Sequence, residues 1–317
     1  MHIYDWKDFK ALFRINIDWP RRNFARIFGY LPSVFAFGPC SFLEVFVTIA
    51  SIPNSDEVNE SLDQWVRFCS TGPNPARGGE IIRERGMVIT CCRTIWPLGN
   101  VVIFTAPVES IDDLARRIET ANECLAIKGC NGVFFVADNL VEPSRSKVPE
   151  VFARHGYAPE ITVMGMATDA LAPPMRPFPE LQYGKVCDAA SRLAVAELNA
   201  VASEAPVEWG HDYNHRIDIW NHGAVGIIGY LGNRPAACAV TVPLDGRLYV
   251  ALVATAHEFR RLGCAEAVMR RSLEDAAEAT GLVRTVLHAS PMGRPLYSQM
   301  GYHDTLPFTV YGHTEGK

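Results

Sequence analysis

Short apolar runs rich in β-branched residues alternate along the chain with longer segments that carry apolar residues every three or four positions. Runs of the first kind predict buried strands, and in the first half they lie at 86–92, 101–105, 132–137 and 161–166. Segments of the second kind predict amphipathic helices, here at 111–125, with Ser110 as N-cap, and at 148–155, where Gly156 ends the helix. This alternation predicts an α/β fold.

The second half repeats the order of these signals. Its predicted helices lie at 189–203, 262–279 and 295–300, and its predicted strands at 224–230, 236–242, 248–254, 283–289 and 308–311. The segment Phe152-x-x-x-Gly156-Tyr157 also matches Tyr297-x-x-x-Gly301-Tyr302, and an apolar strand precedes both. We interpret the repeated order as an internal duplication.

A proline-rich segment separates the two halves. Residues 171–179, LAPPMRPFP, hold four prolines, and proline fixes φ and removes a backbone donor, so the segment predicts a semi-rigid linker. We therefore predict one domain at 51–170, a linker at 171–179 and a second domain at 180–317. Residues 1–50 are an aromatic-rich N-terminal extension to which the pattern assigns no role.

Charge and cysteine usage exclude several classes of protein. The 317 residues include 30 Lys and Arg against 35 Asp and Glu, so the chain has no electrostatic reason to bind nucleic acid. No run of about 18 apolar residues predicts a transmembrane helix, and we expect no membrane partner. The nine cysteines are irregularly spaced and form no CxxC. This pattern predicts reduced thiols in a cytoplasmic protein.

The segment Tyr249–Ala265 carries the most specific chemistry. It predicts a strand, a loop with Arg260, Arg261 and Gly263, and the start of a long helix. The first amides of a helix lack internal acceptors and lie at the positive end of its dipole, and a glycine lets an anion approach the backbone. The segment therefore predicts a phosphate or pyrophosphate site. The sequence has no GxxxxGK[ST], and the GxGxxG pattern is incomplete.

Two motifs in this half resemble those of a known family. Arg260-Arg-Leu-Gly263-Cys-Ala265 resembles the R/Q-x-x-G-x-G/A signature of the GNAT superfamily of acyl-CoA-dependent N-acetyltransferases. About 30 residues later, the segment from Ser290 to Tyr302 resembles that family's N-x-x-A-x-x-x-Y-x-x-x-G-F/Y segment. Ser290 stands where Asn is usual, and Cys264 replaces an aliphatic residue.

The resemblance covers about residues 180–312 and implies a fold and a set of site residues. The implied fold is α/β (α+β), with two GNAT-like domains in tandem, each a mixed, mostly antiparallel central sheet flanked by helices. The implied acyl donor is acetyl-CoA, without a metal, and Tyr297 would protonate the leaving thiolate. The residues implied to bind the cofactor are Val253, Thr255, Arg260, Arg261, Leu262, Gly263, Cys264, Ala265, Ser290 and Gly293.

The first half resembles a degenerate copy of the same fold. Its corresponding loop, 106–113, has no glycine and three acidic residues, so it would repel a pyrophosphate. Phe152 stands where the second half has Tyr297. We expect this half to support the fold or to form a wall of the acceptor site.

The general base is less determined by the sequence. His288 follows the long helix on a predicted strand, and a histidine pKa near 6.5 suits a base; a structural core histidine is the alternative. Glu208, His211 and Asp212 are further candidates in the predicted acceptor-facing loop. The histidines at 211, 215, 222 and 257 have no spacing that fixes a metal site.

The sequence thus predicts an acyl-CoA-dependent, most simply acetyl-CoA-dependent, N-acyltransferase that acts by direct transfer in a ternary complex. The acceptor would be an amine of a small molecule or a peptide, and the resemblance also allows a homodimer. The alternative is a non-catalytic acyl-CoA-binding or regulatory protein of the same fold. A partner-binding module is a third interpretation, which no charge run or low-complexity tail supports.

Overall fold

The structure, a computed structural model, describes residues 55–142 and 144–314, all within one compact unit. The expected extension at 1–50 lies outside these ranges. The elements of the first half are, in chain order, α1 (Ser55–Ser70), β1 (Glu80–Glu84), β2 (Met87–Cys91), β3 (Asn100–Phe104), α2 (Ile111–Ile127), β4 (Val133–Ala137), α3 (Val148–Arg154) and β5 (Tyr157–Thr168).

The second half has the elements that the repeated pattern predicts, together with a further strand and helix. In chain order they are β6 (Gln182–Lys185), α4 (Ala189–Ala202), α5 (Val207–Arg216), β7 (Val225–Leu231), β8 (Arg234–Leu244), β9 (Arg247–Thr255), α6 (Cys264–Thr280), β10 (Thr285–Ala289), α7 (Arg294–Gln299) and β11 (His303–His313).

These strands form one mixed sheet in the order β1-β2-β3-β4-β11-β5-β10-β9-β8-β7-β6. The pairs β3/β4 and β9/β10 are parallel, and the other neighbours are antiparallel. The mixed sheet with flanking helices confirms the predicted fold class.

The closing strands of the two halves are exchanged in this sheet. Strand β11, from the second half, lies between β4 and β5 of the first half. Strand β5, from the first half, pairs in turn with β10 of the second. The two halves therefore share the centre of the sheet.

Helices cover both faces of the second half's strands. Helix α6 packs Val268, Met269 and Leu273 into a cluster with Leu248 and Leu287, as its apolar spacing predicts. The opposite face packs against α4, through Val195 and Leu198, and against α1, through Trp65 and Phe68. These two faces define the two sides from which the site below can be approached.

Local signals explain several element boundaries. The Ser110 hydroxyl accepts a hydrogen bond from the Asp113 amide at 3.1 Å, which confirms the predicted N-cap of α2. The turn at Asp245-Gly246 has positive φ at both residues, as a tight hairpin requires. Gly281 ends α6 with a φ of 73°.

Within the part of the chain that the structure describes, no helix is long and apolar enough to cross a membrane. The eight cysteines in that part are free. No group of three or more metal-ligating side chains occurs there in a position to hold an ion.

Candidate active site

A cleft opens where β9 and β10 stop pairing. The parallel ladder consists of Thr285 with Leu248, Val286 with Tyr249, and Leu287 with Val250. Beyond Val250, β9 continues to pair with β8 on its other side, and the end of β10 pairs with β5. From residue 251 to 255, the edge of β9 that faces β10 therefore has no strand partner in the described part of the chain, although side chains donate to the carbonyls of Leu252 and Thr255.

A β-bulge lies in this unpaired stretch. Leu252 and Val253 of β9 together oppose Ala239 of β8, because the register passes from Val240–Ala251 to Cys238–Ala254. Leu252 has a φ of 49°, which is rare for a branched side chain. The bulge directs Leu252 toward the α4 face and Val253 toward the α6 face. Bulges of this kind frequently occur beside active sites, where they redirect side chains.

The start of α6 forms the outer end of the cleft. Gly263, the N-cap, has a φ of 91°, and Arg261 before it has a φ of 63°. The amides of the first turn have no acceptor within the helix. Arg261 is exposed, so its charge adds to that of the helix terminus. The arrangement fits the anion site that the sequence predicts.

The linker adds a cation that the sequence analysis did not assign. A Cβ on Gly263 would lie 3.6 Å from Nε of Arg176 and 3.7 Å from Cδ of Pro179. Arg176 is exposed and therefore lies beside the helix start with its charge accessible. Its position in a proline-rich segment gave no signal of this role, because the path of the linker across α6 is set by packing.

Arg260 is turned away from the helix start. Its guanidinium donates to the carbonyl of Ala202, at the end of α4, at 2.7 Å, and to the carbonyl of Thr255 at 3.5 Å. In this structure Arg260 therefore holds the loop against α4 and does not add its charge to the helix start. The remaining loop residues differ in burial: Leu262 is 47% exposed, whereas Cys264 is buried in the cluster around α6.

Tyr297 lies on the α6 side of the cleft. It joins Val253 in the hydrophobic cluster around α6, and burial raises the pKa of its hydroxyl to about 12. The hydroxyl is therefore protonated at neutral pH. A Cβ on Gly293 would lie 2.9 Å from the ring of Tyr297, so the ring needs glycine there. Ser290 accepts a hydrogen bond from the Gly293 amide at 3.3 Å, which supports the start of α7.

His288 lies on the opposite face of the sheet. Its Nδ1 is 2.9 Å from the hydroxyl of Tyr249, and its Nε2 is 3.3 Å from that of Ser61. Its ring also packs 4.8 Å from Trp65 of α1. Burial lowers the pKa of His288 to about 3, so the imidazole is neutral and weakly basic. Both ring nitrogens are engaged by protein groups.

The other base candidates are at or near the surface of α5. His211 pairs with Glu197 at 2.8 Å. Asp212 accepts a hydrogen bond from the Ile95 amide at 2.8 Å and pairs with Arg216. Glu208 is exposed. The structure thus gives Asp212 a connecting role between the two halves.

The equivalent loop in the first half is filled by the protein itself. The guanidinium of Arg117 donates to the carbonyls of Gly86, Ala106 and Pro107 and pairs with Asp113 at 2.8 Å. Phe152, which corresponds to Tyr297, is buried and stacks on Tyr311. This half therefore offers neither an open anion site nor a proton donor at these positions.

A second feature without a sequence signal is an apolar cavity of about 160 Å³ beside the β9 bulge. It lies between α4, α5 and the loop that precedes β3 of the first half. Its walls include Trp96, Leu98, Arg192, Tyr213, Trp220 and Leu252. The lining residues are far apart in sequence, so no local motif could have predicted the cavity.

Comparison with known proteins agrees with this geometry. Residues 212–311 match the family model described as an acetyltransferase (GNAT) domain. The chain is similar in fold to a GCN5-related N-acetyltransferase from Kribbella flavida, with a TM-score of 0.57 and 17% identity over 79% of this chain and 96% of that one. It is also similar to a functionally unknown conserved protein from Staphylococcus epidermidis, with a TM-score of 0.55 and 12% identity over 75% and 95% of the two chains.

No curated protein sequence matches the chain. An alignment over 79% of the chain must include strands from both halves, so the shared fold extends beyond the matched domain. The similarity to a GNAT acetyltransferase domain thus lies in residues 212–311.

Proposed function

We propose that this protein is an acetyl-CoA-dependent N-acyltransferase that acts on an amine by direct transfer. The observation that carries the proposal is the continuity of the unpaired β9 edge with the open start of α6. An extended pantetheine arm fits a strand edge, and a pyrophosphate fits a helix N-terminus that carries added cations. The family of the matched domain supports the same donor.

The residues present fit this donor. The backbone of 253–255 offers hydrogen bonds to an extended arm. The amides of 263–265 and the charges of Arg261 and Arg176 suit phosphate oxygens. Ser290 and Gly293 shape the start of α7 and so the position of Tyr297.

The chemical step uses one protein group that moves a proton. Acetyl-CoA supplies the acyl group as a thioester. The acceptor nitrogen forms a bond to the carbonyl carbon as the carbon–sulfur bond breaks. Tyr297 donates its proton to the departing sulfur, which leaves as the CoA thiol. The nitrogen loses a proton to solvent, and the Tyr297 phenolate regains one from solvent. The proposed mechanism has no covalent intermediate on the protein. Cys264, the cysteine of the Arg260–Ala265 motif, is buried in the cluster around α6.

The predicted base at His288 is not part of this mechanism. Its nitrogens contact Tyr249 and Ser61, and a group with a pKa of about 3 is a poor acceptor for the proton of an ammonium. We assign His288 a structural role at the junction of β10 with α1. The free cysteines support a reducing compartment, and we place the activity in the cytoplasm.

Calorimetric titration of acetyl-CoA tests the proposal. We expect micromolar binding by the wild type and its loss in Gly263→Glu, which places a carboxylate where the phosphate lies. Because Gly263 has a φ of 91°, that variant can also lose stability, so Arg261→Glu, at an exposed position, is tested beside it. Arg83→Glu, on the exposed edge strand β1, is the matched control.

The outcomes separate the two candidate functions. Binding that the site variants abolish, together with release of free CoA thiol in the presence of an amine, supports the enzyme. Binding without turnover on any amine supports the non-catalytic acyl-CoA-binding protein. Absence of binding by a folded wild type overturns both.

A further inference from the structure

The apolar cavity beside the β9 bulge, called here the aromatic chamber, lies on the side of the sheet opposite Tyr297. Leu252 forms part of its wall and belongs to the unpaired stretch of β9. Trp96 and Leu98, from the first half, form another part. The chamber therefore adjoins the unpaired stretch of β9 on the face of the sheet opposite α6 and α7.

Three hydrogen-bond donors in the lining of the chamber have no acceptor within the described ranges. The indole nitrogens of Trp96 and Trp220 and the Nε of Arg192 are buried, and none of them has a hydrogen-bond partner among the described residues. The Arg192 guanidinium lies 5.6 Å from the centre of the Trp220 ring. Buried donors of this kind are nearly always satisfied by a partner, so the lining of the chamber is short of acceptors for these three groups.

The charged residues around the chamber also favour a ligand that carries acceptors. None of the residues that line the aromatic chamber is acidic. A polar cavity of about 270 Å³ adjoins it, and the two share Arg192, Asn214, Ile217 and Trp220. This outer cavity contains Arg77 and His215 beside a single carboxylate, Asp218, which accepts a hydrogen bond from Asn221 at 2.6 Å. A polyamine would meet Arg77 and Arg192 here, with Asp218 as the one carboxylate among the lining residues.

The volume of the chamber limits the apolar part of the ligand. An apolar cavity of about 150 Å³ in a protein can hold a benzene molecule, and this chamber has about 160 Å³. Most of its lining residues are aromatic or aliphatic, with Arg192, Asn199, Ser203 and Asn214 as the polar ones, so burial of an apolar group there is favourable. The chamber thus has room for one phenyl or branched aliphatic group.

We infer that the acceptor is a small amine that carries both a carboxylate and an aromatic or branched aliphatic group, as in an apolar amino acid. The apolar group occupies the aromatic chamber, and the carboxylate accepts hydrogen bonds from Arg192, where the chamber meets the outer cavity. This inference rests on the proposed function for its reaction. Its binding step does not depend on that reaction.

The experiment compares acceptors that differ in one group. Phenylalanine and leucine are compared with phenethylamine and isopentylamine, which lack the carboxylate, and with spermidine. The dipeptide Phe-Ala distinguishes a free amino acid from a peptide N-terminus. We expect kcat/KM for the two amino acids to exceed that of their decarboxylated partners by about 10- to 100-fold, the range for a hydrogen bond to a charged group.

Two variants test the site itself. Arg192→Gln should reduce the preference for the carboxylate by about the same 10- to 100-fold and leave acetyl-CoA binding unchanged. Arg83→Gln, which removes the same charge from β1, should change neither. Ala196→Leu, at a buried position in the chamber wall, should weaken phenylalanine binding measured by calorimetry without acetyl-CoA. Retained acetyl-CoA binding and thermal midpoint show that each variant is folded.

The results distinguish this inference from the proposed function. Equal activity on amines with and without the carboxylate, or an unchanged preference in Arg192→Gln, overturns the inference while the acyltransferase stands. Failure of the wild type to bind any of the amino acids overturns it as well. If acetyl-CoA does not bind but phenylalanine does, and Arg192→Gln abolishes that binding, the proposed reaction fails and the carboxylate site stands.

Discussion

Tyr297 is the residue on which turnover, rather than binding, should depend. Its side chain packs with Val253 on the α6 side of the cleft, and burial raises the pKa of its hydroxyl to about 12, so it is protonated throughout the neutral range. We expect Tyr297→Phe to lower kcat by at least about 100-fold, the usual range for a lost general acid, with an unchanged Kd for acetyl-CoA. Tyr183→Phe, which removes a hydroxyl from a side chain in exposed β6, is the control. An unchanged kcat in Tyr297→Phe would remove the proton donor from the mechanism.

His288 should affect acid stability more than catalysis. The pKa of His288 falls from 6.5 to about 3 on folding, so between these pH values the unfolded chain binds a proton that the folded protein does not. The contribution of His288 to the free energy of unfolding is therefore largest above pH 6.5 and is lost as the pH falls toward 3. We expect His288→Gln to reduce the pH dependence of the free energy of unfolding between pH 4 and 6 by up to one proton. Urea unfolding at several pH values measures this.

The same variant separates the two roles of His288. A structural histidine predicts that the pH profile of kcat/KM keeps its shape in His288→Gln. If the pH profile of His288→Gln loses its limb near neutral pH, His288 is the general base. His222→Gln, at an exposed histidine on the surface, is the control for loss of an imidazole.

For single residues, the sequence predicts contacts between neighbours along the chain well and contacts between residues far apart along the chain poorly. Ser110 caps α2 as predicted, because its partner is three residues away. The direction of the Arg260 side chain depends on a carbonyl at Ala202, and the position of Arg176 depends on the path of the linker. Neither contact has a signal in the local sequence.

At the scale of the element, the two ends of α6 offer a matched pair of glycines. Gly263 and Gly281 have φ values of 91° and 73°, so alanine at either position costs about 1–2 kcal/mol of stability. Only Gly263 faces the proposed phosphate. We expect both alanine variants to lower the thermal midpoint and only Gly263→Ala to weaken acetyl-CoA binding, by about tenfold, because a Cβ obstructs close approach to the backbone.

A calorimetric comparison of the two variants checks this expectation. A wild-type affinity in both variants would mean that the anion does not approach the start of α6. An equal loss of affinity in both would assign the effect to stability alone.

Long apolar elements were predictable, and short or polar ones were not. Strands β2, β3 and β4 are fully buried, so they lie on continuous apolar runs. Strands β1 and β6 lie at the sheet edges and are mostly exposed, so their residues show no such run. Helices α1 and α5 were not predicted either. In α1 the signal was present, because Val58, Leu62, Trp65, Val66 and Cys69 recur at helical spacing.

At the scale of the whole molecule, the strand exchange makes the halves mutually dependent. Strand β11 has its neighbours, β4 and β5, in the first half, and β10 pairs with β5. We expect residues 180–317 alone to give no cooperative unfolding transition, because two of their strands lose backbone partners. Circular dichroism during urea unfolding of this fragment and of the full chain provides the measurement.

Co-expression supplies the control for that fragment. A chain divided at Pro174, within the linker, should give two fragments that purify together, since the cut leaves every strand pairing intact. A second half that folds and binds acetyl-CoA by itself would contradict the expectation and would support the two separate domains that the linker suggests.

The internal repeat predicted two similar halves but not which strands they share. Phe152 and Tyr297 stand at equivalent positions, and both are followed by the strands that are exchanged. Local sequence specifies that such a strand forms. Packing across the whole sheet selects the neighbours of that strand, and the spacing of residues along the chain carries no information about this packing.

The exchange also has a consequence during synthesis on the ribosome. Strand β11 emerges roughly 170 residues after β4, which at about 5–20 residues per second leaves the inner edge of β4 without its partner for on the order of ten seconds or more. That edge is a flat apolar strand of five residues, a shape that invites pairing with other nascent chains. The nascent protein should therefore depend on chaperones until its last strand is released, and premature termination within the second half should yield aggregates rather than a working first half.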